Sequence, residues 1–367
     1  MPDCSHNQKS GNCDASNDAS PGSNEMPAIS VCMPVFNGAT FLPRAFSSLA
    51  SQTFRDFEII VVDDGSTDKS ADQAEHLLAS LNLRGSVIRT TNKGAEQARD
   101  VACMHARGEI LAHLDCDDSW DTSYLSVMFD VFQSHPDVDL IYSDMIQESP
   151  DGQTVLKSEV ATWIDLSRAS RNDDLYVFPP GSFFQMLLNG MVLLPSCTAY
   201  RKSLYDQAGP YCKVLSDMRM CLDWCFGLRA SRCGTIAFVH RPLVHRPVYG
   251  GSTSGDLVRL TTCNVRVLRW ILSDSTLSEQ ERRTALGRGA VICTWACDQM
   301  LRIRENNLAA AQWAITSLRF QFNWRATRLL ALTLIPRFVI HGVRKAQAIS
   351  SGKWNKLIHR PSGLVKK

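Results

Sequence analysis

The stretch Leu114–Asp118, LDCDD, places Asp115, Asp117 and Asp118 within four positions at the end of the apolar run GEILAHLDCDD. Carboxylates crowded this closely raise one another's pKa values and repel, unless a cation shares them. A hard divalent ion such as Mg²⁺ or Mn²⁺ takes carboxylate oxygens and keeps open positions for phosphate oxygens, so the cluster points to a metal-held diphosphate. The plainer alternative is a solvated turn that caps the next helix. DDGST, Asp63–Thr67, is less specific because its residues are turn and cap formers. A strand-end carboxylate there can nevertheless accept N–H donors from a nucleobase.

Other chemistries find less support. Cys212, Cys221, Cys225 and Cys233 lack any CxxC pair, and Cys221 and Cys225 share one helix face, which reads as packed thiols rather than a zinc site. No GxGxxG follows a strand and no GxxxxGK[ST] occurs, which argues against a dehydrogenase and a P-loop NTPase.

A scaffold must hold the acids at strand ends, and the apolar pattern outlines it. AISVCMPVF reads as a buried strand closed by NGAT, and FLPRAFSSLASQ has helical spacing with Phe41, Leu42, Ala45, Phe46 and Leu49 on one side. FEIIVVDDGSTD supplies a β-branched strand, a turn, and a helix from about Thr67 to Leu81 capped by Ser66 or Thr67. SVIRTT predicts a third strand, GAEQARDVACMHA a helix and EILAHLD a fourth strand. Alternating strands and helices imply an α/β, doubly wound, mostly parallel sheet covered on both faces. Such sheets bind ligands beyond the carboxyl ends of their strands, which gathers VFNG, DDGSTD, TTNKG and DCDD on one rim. Past Tyr142 the alternation fades into a loop-rich stretch to about Pro180. From about Ser278 to Val343 the pattern is helical, with one hairpin joined at ENN, too little for a repeat array. Residues 1–27, rich in Ser, Asn, Asp, Gly and Pro, predict disorder.

At 367 residues and 44% hydrophobic content the chain can bury a large core beside an appended element. Its 13 cysteines sit in apolar contexts with no secretory signal ahead of them, so free thiols and a cytoplasmic location are expected. The net charge of +2 conceals an asymmetry: from Leu301 onward 13 basic residues face Glu305 alone, giving +12 and leaving −10 for residues 1–300. Leu329–Ile340, LLALTLIPRFVI, is too short and too interrupted by Pro336 and Arg337 to span a bilayer. Trp313, Trp324 and Trp354 suit an interface, so the expected partner of this basic region is an anionic membrane surface, the inner face of the plasma membrane, and not nucleic acid.

Taken in order, ISVCMPVFNG, SSLASQTFRDFEIIVVDDGSTD, NKGAEQARDVACMHARGEILAHLDCDD, HPDVDLIYSD and LDWCFGLRASRCG resemble the family 2 glycosyltransferases of the GT-A fold. The resemblance covers residues 28–255 and implies a nucleotide-sugar-binding half at 28–142 and an acceptor half at 143–255. A helical extension at 256–345 and a basic tail at 346–367 follow. It places Pro34, Phe36 and Asn37 beside the nucleotide, Asp64 on the base and Arg99 near the nucleotide. Asp115 and Asp117 form its DxD pair, Asp117 being the direct metal ligand and Asp118 an outer partner. The family's acidic-Asp-Trp motif matches CLDW, making Asp223 the base, with Leu222 in place of the usual acid. LVHRPVYGGSTS matches an aromatic-Arg segment through His245 and Arg246, and Arg246 would neutralise the departing diphosphate. Read without the family, Asp223 is a solvated or capping residue and Arg246 a surface ion pair. Asp100 stands where the family commonly has Asn.

The resemblance therefore implies a metal-dependent, inverting glycosyltransferase of the hexosyltransferase type, using Mn²⁺ or Mg²⁺ and a nucleotide-diphosphate sugar, with a UDP-sugar expected. Its acceptor would be a glycan or lipid-linked molecule of cell-envelope or polysaccharide synthesis, chosen by loops between about 145 and 220. Processive synthases add membrane spans and a QxxRW motif; RVLRW lacks the Gln, which leaves a single-addition enzyme. The rival is a catalytically silent GT-A scaffold that binds nucleotide, for which Leu222 and Asp100 would speak.

Overall fold

The runs ISVCMPV and FEIIVVD become β1 (Ile29–Val35) and β2 (Phe57–Asp63), with every residue of both buried. Unbroken apolar strands of this kind need cover on both faces, as in a parallel sheet flanked by helices. In the structure, a computed structural model, residues 25–149, 154–157, 164–190, 193–247, 257–303 and 307–334 are described. Between the first two strands α1 (Leu42–Ala50) carries Pro43 in its first turn, where the missing N–H is an orphan in any case, and buries Leu42, Ala45, Phe46 and Leu49. The alternation continues through α2 (Ser70–Ser80), β3 (Gly85–Arg89), α3 (Ala95–His105) and β4 (Ile110–His113).

The start of α2 differs from the sequence expectation. Ser66 and Thr67 do not cap it: Ser66 Oγ accepts the Asn37 N–H at 2.9 Å, and the Thr67 N–H donates to Asn37 Oδ1 at 2.8 Å. Asp68 instead takes the Ser70 N–H at 2.9 Å and the Ala39 N–H at 3.1 Å, so the helix starts three residues late and the freed turn is sewn to the end of β1.

β3, β2, β1 and β4 lie parallel in that order. Next, β10 (Thr198–Arg201) inserts antiparallel between β4 and β6 (Val138–Glu148), and β6 runs parallel to β11 (Thr235–Pro247). β9 (Leu175–Phe178) and β8 (Ser170–Asn172) add an antiparallel edge, while β7 (Thr154–Lys157) pairs with β6. The result is one mixed sheet of 11 strands that joins the two expected halves. Register shifts flank Pro242 in β11, since proline cannot donate to the ladder. Beyond this bend Val244 and His245 pair with β5 (Ser119–Trp120), which carries the end of β11 over the acidic loop.

α4 (Tyr124–Ser134), α5 (Ser182–Leu188), α6 (Lys202–Ala208) and α7 (Leu222–Cys233) complete the domain. The extension consists of α8 (Leu257–Leu272), α9 (Glu279–Ile303), α10 (Asn307–Phe320) and α11 (Trp324–Thr333). α9 rests against α5, and α10 and α11 close a small second core of Cys297, Met300, Ala310, Ala314 and Leu329. The break between α9 and α10 falls where ENN was expected to join the hairpin, although residues 304–306 lie outside the described residues. Most of the N-terminal segment, 1–24, and the tail from 335, including Trp354, lie outside them as well. Among the described residues no helix is long and apolar enough to cross a membrane.

Candidate active site

At the carboxyl ends of β1, β2 and β4 a cleft of about 340 Å³ opens, within the usual range for small-molecule sites. Pro34, Phe36, Asp64, Arg99, Asp115, Asp117, Asp223 and Arg246 all line it, so eight of the nine residues expected at the site come together. Asn37 does not line it. With φ at 50° it spends its side chain on Thr67 and so shapes the DDGST turn instead.

The acidic loop leaves β4 directly. Oxygens of Asp115, Asp117 and Asp118 lie within 4.8 Å of one another, a hard-oxygen donor set that fits a divalent cation. Arg99, buried in α3, donates to Asp115 Oδ1 at 2.5 Å. Burial works against the Arg99 charge, but Asp115 and Glu96 outweigh it and keep the guanidinium protonated. Asp118 is buried, and burial, then Asp117 and Asp115, push its carboxyl up to about 8. Ser196, in a 3-10 turn at Pro195–Cys197, donates to Asp118 at 2.5 Å and accepts the Asp115 N–H at 3.1 Å. Trp120 Nε1 fixes that turn by donating to the Ser196 carbonyl at 2.8 Å.

Asp64 faces the cleft from the end of β2, held by the Lys93 and Gly94 N–H groups at 2.8 and 2.7 Å. Gly65 has φ at 71°, and a Cβ there would lie 2.8 Å from the Asn92 nitrogen, so this approach of the turn requires glycine. Arg246, on the bent end of β11, has no hydrogen bond or ion pair among the described residues. Burial opposes its charge, yet Asp118, Asp115 and Asp117 raise its pKa. Neighbouring His245 points the other way, as alternation on a strand demands, its Nδ1 lying 2.8 Å from Glu148, which Arg44 also holds at 2.8 Å.

Asp223 opens α7 after Cys221, whose φ of 65° turns the chain into the helix. Its Oδ1 accepts the Trp224 N–H at 2.8 Å, while Trp224 Nε1 anchors the helix by donating to the Leu187 carbonyl at 2.8 Å. Burial raises the Asp223 pKa against the pull of Arg99, which makes it a stronger base than an exposed aspartate. Leu222 is fully buried in the core and does not line the cleft. Asp217, the nearest other acid in sequence, is exposed and tied to Arg266 at 2.7 and 2.9 Å.

Sequence reasoning missed Glu96, Ser196 and Arg219 of the cleft wall. Glu96, in the first turn of α3, is buried, and burial with Asp223 and Asp115 nearby lifts its carboxyl to about 7 despite Arg99. Asp100 faces away from the cleft: it accepts the Tyr205 hydroxyl at 2.8 Å and the Tyr211 and Cys212 N–H groups at 2.7 and 2.9 Å, which holds the 205–212 connection. Among the described residues the four cysteines considered for zinc do not gather into a metal-ligand cluster.

The sequence model of glycosyl transferase family 2 matches residues 30–209. A Bacillus subtilis glycosyltransferase, EpsH, is 28% identical over 61% of this chain and 62% of its own length, so the match spans less than two thirds of that relative. A PGL/p-HBAD biosynthesis glycosyltransferase of Mycobacterium bovis is 29% identical over 55% of this chain and 69% of its own. Among solved structures, residues 1–349 of Staphylococcus aureus TarS with UDP share the fold at a TM-score of 0.57 and 19% identity, covering 82% of this chain and 83% of that one. The Pyrobaculum calidifontis mannosyltransferase PcManGT, with GDP-Man and Mn²⁺, does so at 0.52 and 17%, covering 94% and 91%. The mixed sheet, the cleft at its strand ends and the sequence match agree: residues 30–209 of the chain form a glycosyl transferase family 2 domain.

Proposed function

We propose that this chain transfers one sugar from a nucleotide-diphosphate sugar, UDP-linked for preference, to a lipid-linked or glycan acceptor of the cell envelope, with inversion. The observation that carries the reading is the convergence in one cleft of a carboxylate triad, three arginines and a half-buried aspartate. Solved proteins of the same fold hold UDP, or GDP-Man with Mn²⁺, and the mycobacterial relative is named for PGL/p-HBAD biosynthesis.

In this reading Asp64 accepts N–H donors of the base, and Phe36, 49% exposed at the cleft mouth, offers an aromatic face to it. Asp115 and Asp117 would hold Mn²⁺ or Mg²⁺, with Asp118 behind them. Such a cation supplies positive charge to the diphosphate leaving group. Arg246, with no ion pair among the described residues, takes up further charge as the anomeric C–O bond to the diphosphate breaks. Asp223 accepts the proton of the acceptor hydroxyl while its oxygen attacks the anomeric carbon from the opposite face. Both departures from the family pattern lie outside the cleft: Leu222 fills core and Asp100 braces a connection.

Attachment to an anionic membrane at the cytoplasmic face fits the outer helices. Phe322, Trp324 and Leu334 are 63%, 78% and 80% exposed, and Arg319, Arg325 and Arg328 stand exposed around them. The test of the transfer reading is slow hydrolysis of a panel of nucleotide sugars with Mn²⁺, which needs no acceptor. One donor hydrolysed well above the others supports it, and no metal-dependent hydrolysis of any donor contradicts it.

A further inference from the structure

A second and larger hollow of about 600 Å³ lies beside the cleft, framed by α8, α9 and the turn from α10 to α11. Val291 and Trp295 of α9 line it and are 59% and 47% exposed, an unusual share of water contact for such side chains on a packed helix.

Two observations indicate its occupant. Leu260 of α8 lines both this hollow and the cleft. Asn264, one turn along α8, also lines the hollow, and its Oδ1 accepts a hydrogen bond at 3.3 Å from the thiol of Cys221, which lines the cleft. The two spaces therefore share one thin wall, and a molecule in the hollow abuts the cleft that Asp223 lines. Arg288 also lines the hollow, with no hydrogen bond or ion pair among the described residues and its Nε buried. Burial pulls its pKa down, and among the described residues no acid pairs with the guanidinium to offset that. A space whose walls are mostly apolar in area, and which Arg288 and the exposed Arg325 also line, suits an amphiphile with an apolar chain and an anionic head.

We propose that the hollow receives the hydrocarbon chain of the acceptor lipid, whose phosphate pairs with Arg288 while its hydroxyl-bearing head passes Leu260 into the cleft. The proposal rests on the sugar-transfer reading and names the acceptor as a lipid phosphate rather than a free glycan. Sugar transfer itself is unchanged: the acceptor oxygen bonds the anomeric carbon, the nucleoside diphosphate leaves, and the proton goes to Asp223.

Farnesyl phosphate, one isoprenoid chain with one phosphate, provides the test. It is titrated into the full chain and followed by tryptophan fluorescence, with Trp295→Phe identifying the signal from the hollow. The expected result is saturable binding that Arg288→Gln weakens by about tenfold or more and that Val291→Asp, at an exposed position, abolishes. Farnesol, without the phosphate, should bind no better than farnesyl phosphate binds the Arg288 variant. Both variants should keep metal-dependent UDP binding, which shows that they fold.

Failure of farnesyl phosphate to bind the full chain, or equal binding by both variants, overturns the proposal. Phosphatidylglycerol vesicles bound with the same dependence on Arg288 and Val291 would make the hollow a bilayer contact, and a dimer lost in Val291→Asp would make it a self-contact; either result overturns it too. Donor hydrolysis separates the two readings. Hydrolysis without farnesyl phosphate binding leaves the transferase standing and removes the lipid site, whereas binding without hydrolysis removes the transferase and the acceptor assignment with it.

Discussion

Replacing Arg99 by Gln tests whether the cleft is a set of charges arranged for a cation. Arg99 is 5% exposed and donates to Asp115 at 2.5 Å, with Glu96 and Asp223 close enough to influence its protonation or be influenced by it. Removing one partner of a buried ion pair costs about 3–5 kcal/mol, because the other charge is left without compensation. Asp115 is 30% exposed, and solvent screening brings the expected loss down to about 2–3 kcal/mol. A divalent cation shared by Asp115, Asp117 and Asp118 supplies what the guanidinium did, so the loss should shrink as Mn²⁺ is added. Binding to the folded form stabilises it by RT ln(1 + [L]/Kd), and the freed Asp115 should make that gain larger in the variant than in the parent. Urea unfolding of both proteins, with and without Mn²⁺, measures this. Equal stability without metal, or a deficit that Mn²⁺ leaves untouched, would refute the charge-balance argument.

Three further outcomes follow, two from the cleft and one from the charge of the C-terminal sequence. Asp223→Asn keeps shape and removes the base, so donor binding should persist while transfer falls about 10²-fold or more; near-normal turnover would place the base elsewhere, and Asp217, bound to Arg266 outside the cleft, is not its substitute. Glu96→Gln removes a carboxyl that is neutral below about 7 and becomes a negative neighbour of Asp223 only as pH rises through that value, so the variant should lose the parent's inflection near pH 7 in kcat/KM while the limb at lower pH stays in place. Because burial lifts the folded Glu96 carboxyl from 4.5 to about 7, the parent should also lose stability relative to this variant between those pH values, and equal pH stability of the two would count against the buried carboxyl. Changing the eight Lys and Arg residues of 335–367 to Gln should release the chain from anionic vesicles at low salt, as 1 M salt should for the parent. Substitution is the better perturbation than truncation near Arg304, since Ala310, Ala314 and Leu329 close the second core.

The parallel part of the sheet was legible because β1, β2 and β4 are short apolar runs with turn formers at their ends, a local signal. Its continuation was not. β10 is the four-residue TAYR, inserted between strands that lie far away in sequence, and no local pattern encodes that pairing. At the site, Asp115, Asp117 and Asp223 stood out through motif order, whereas Glu96 looked like any acid in a first helical turn and only tertiary packing buries it. Asn37 was expected at the nucleotide because its position in the motif was clear, but its side-chain direction depends on a left-handed backbone and on Thr67. The core network of Cys32, Cys103 and His113, with His113 Nε2 2.6 Å from the Tyr200 hydroxyl, likewise comes from elements that only the fold unites.

The central claim is that the acidic loop at the end of β4 holds a metal, and through it a nucleotide diphosphate. Calorimetric titration of UDP into the protein and into Asp117→Ala, each with and without Mn²⁺, addresses it directly. The account predicts that Mn²⁺ tightens UDP binding at least about tenfold in the parent and has no effect in the variant. Equal UDP affinity with and without Mn²⁺ in the parent, or an undiminished Mn²⁺ effect in the variant, would contradict it.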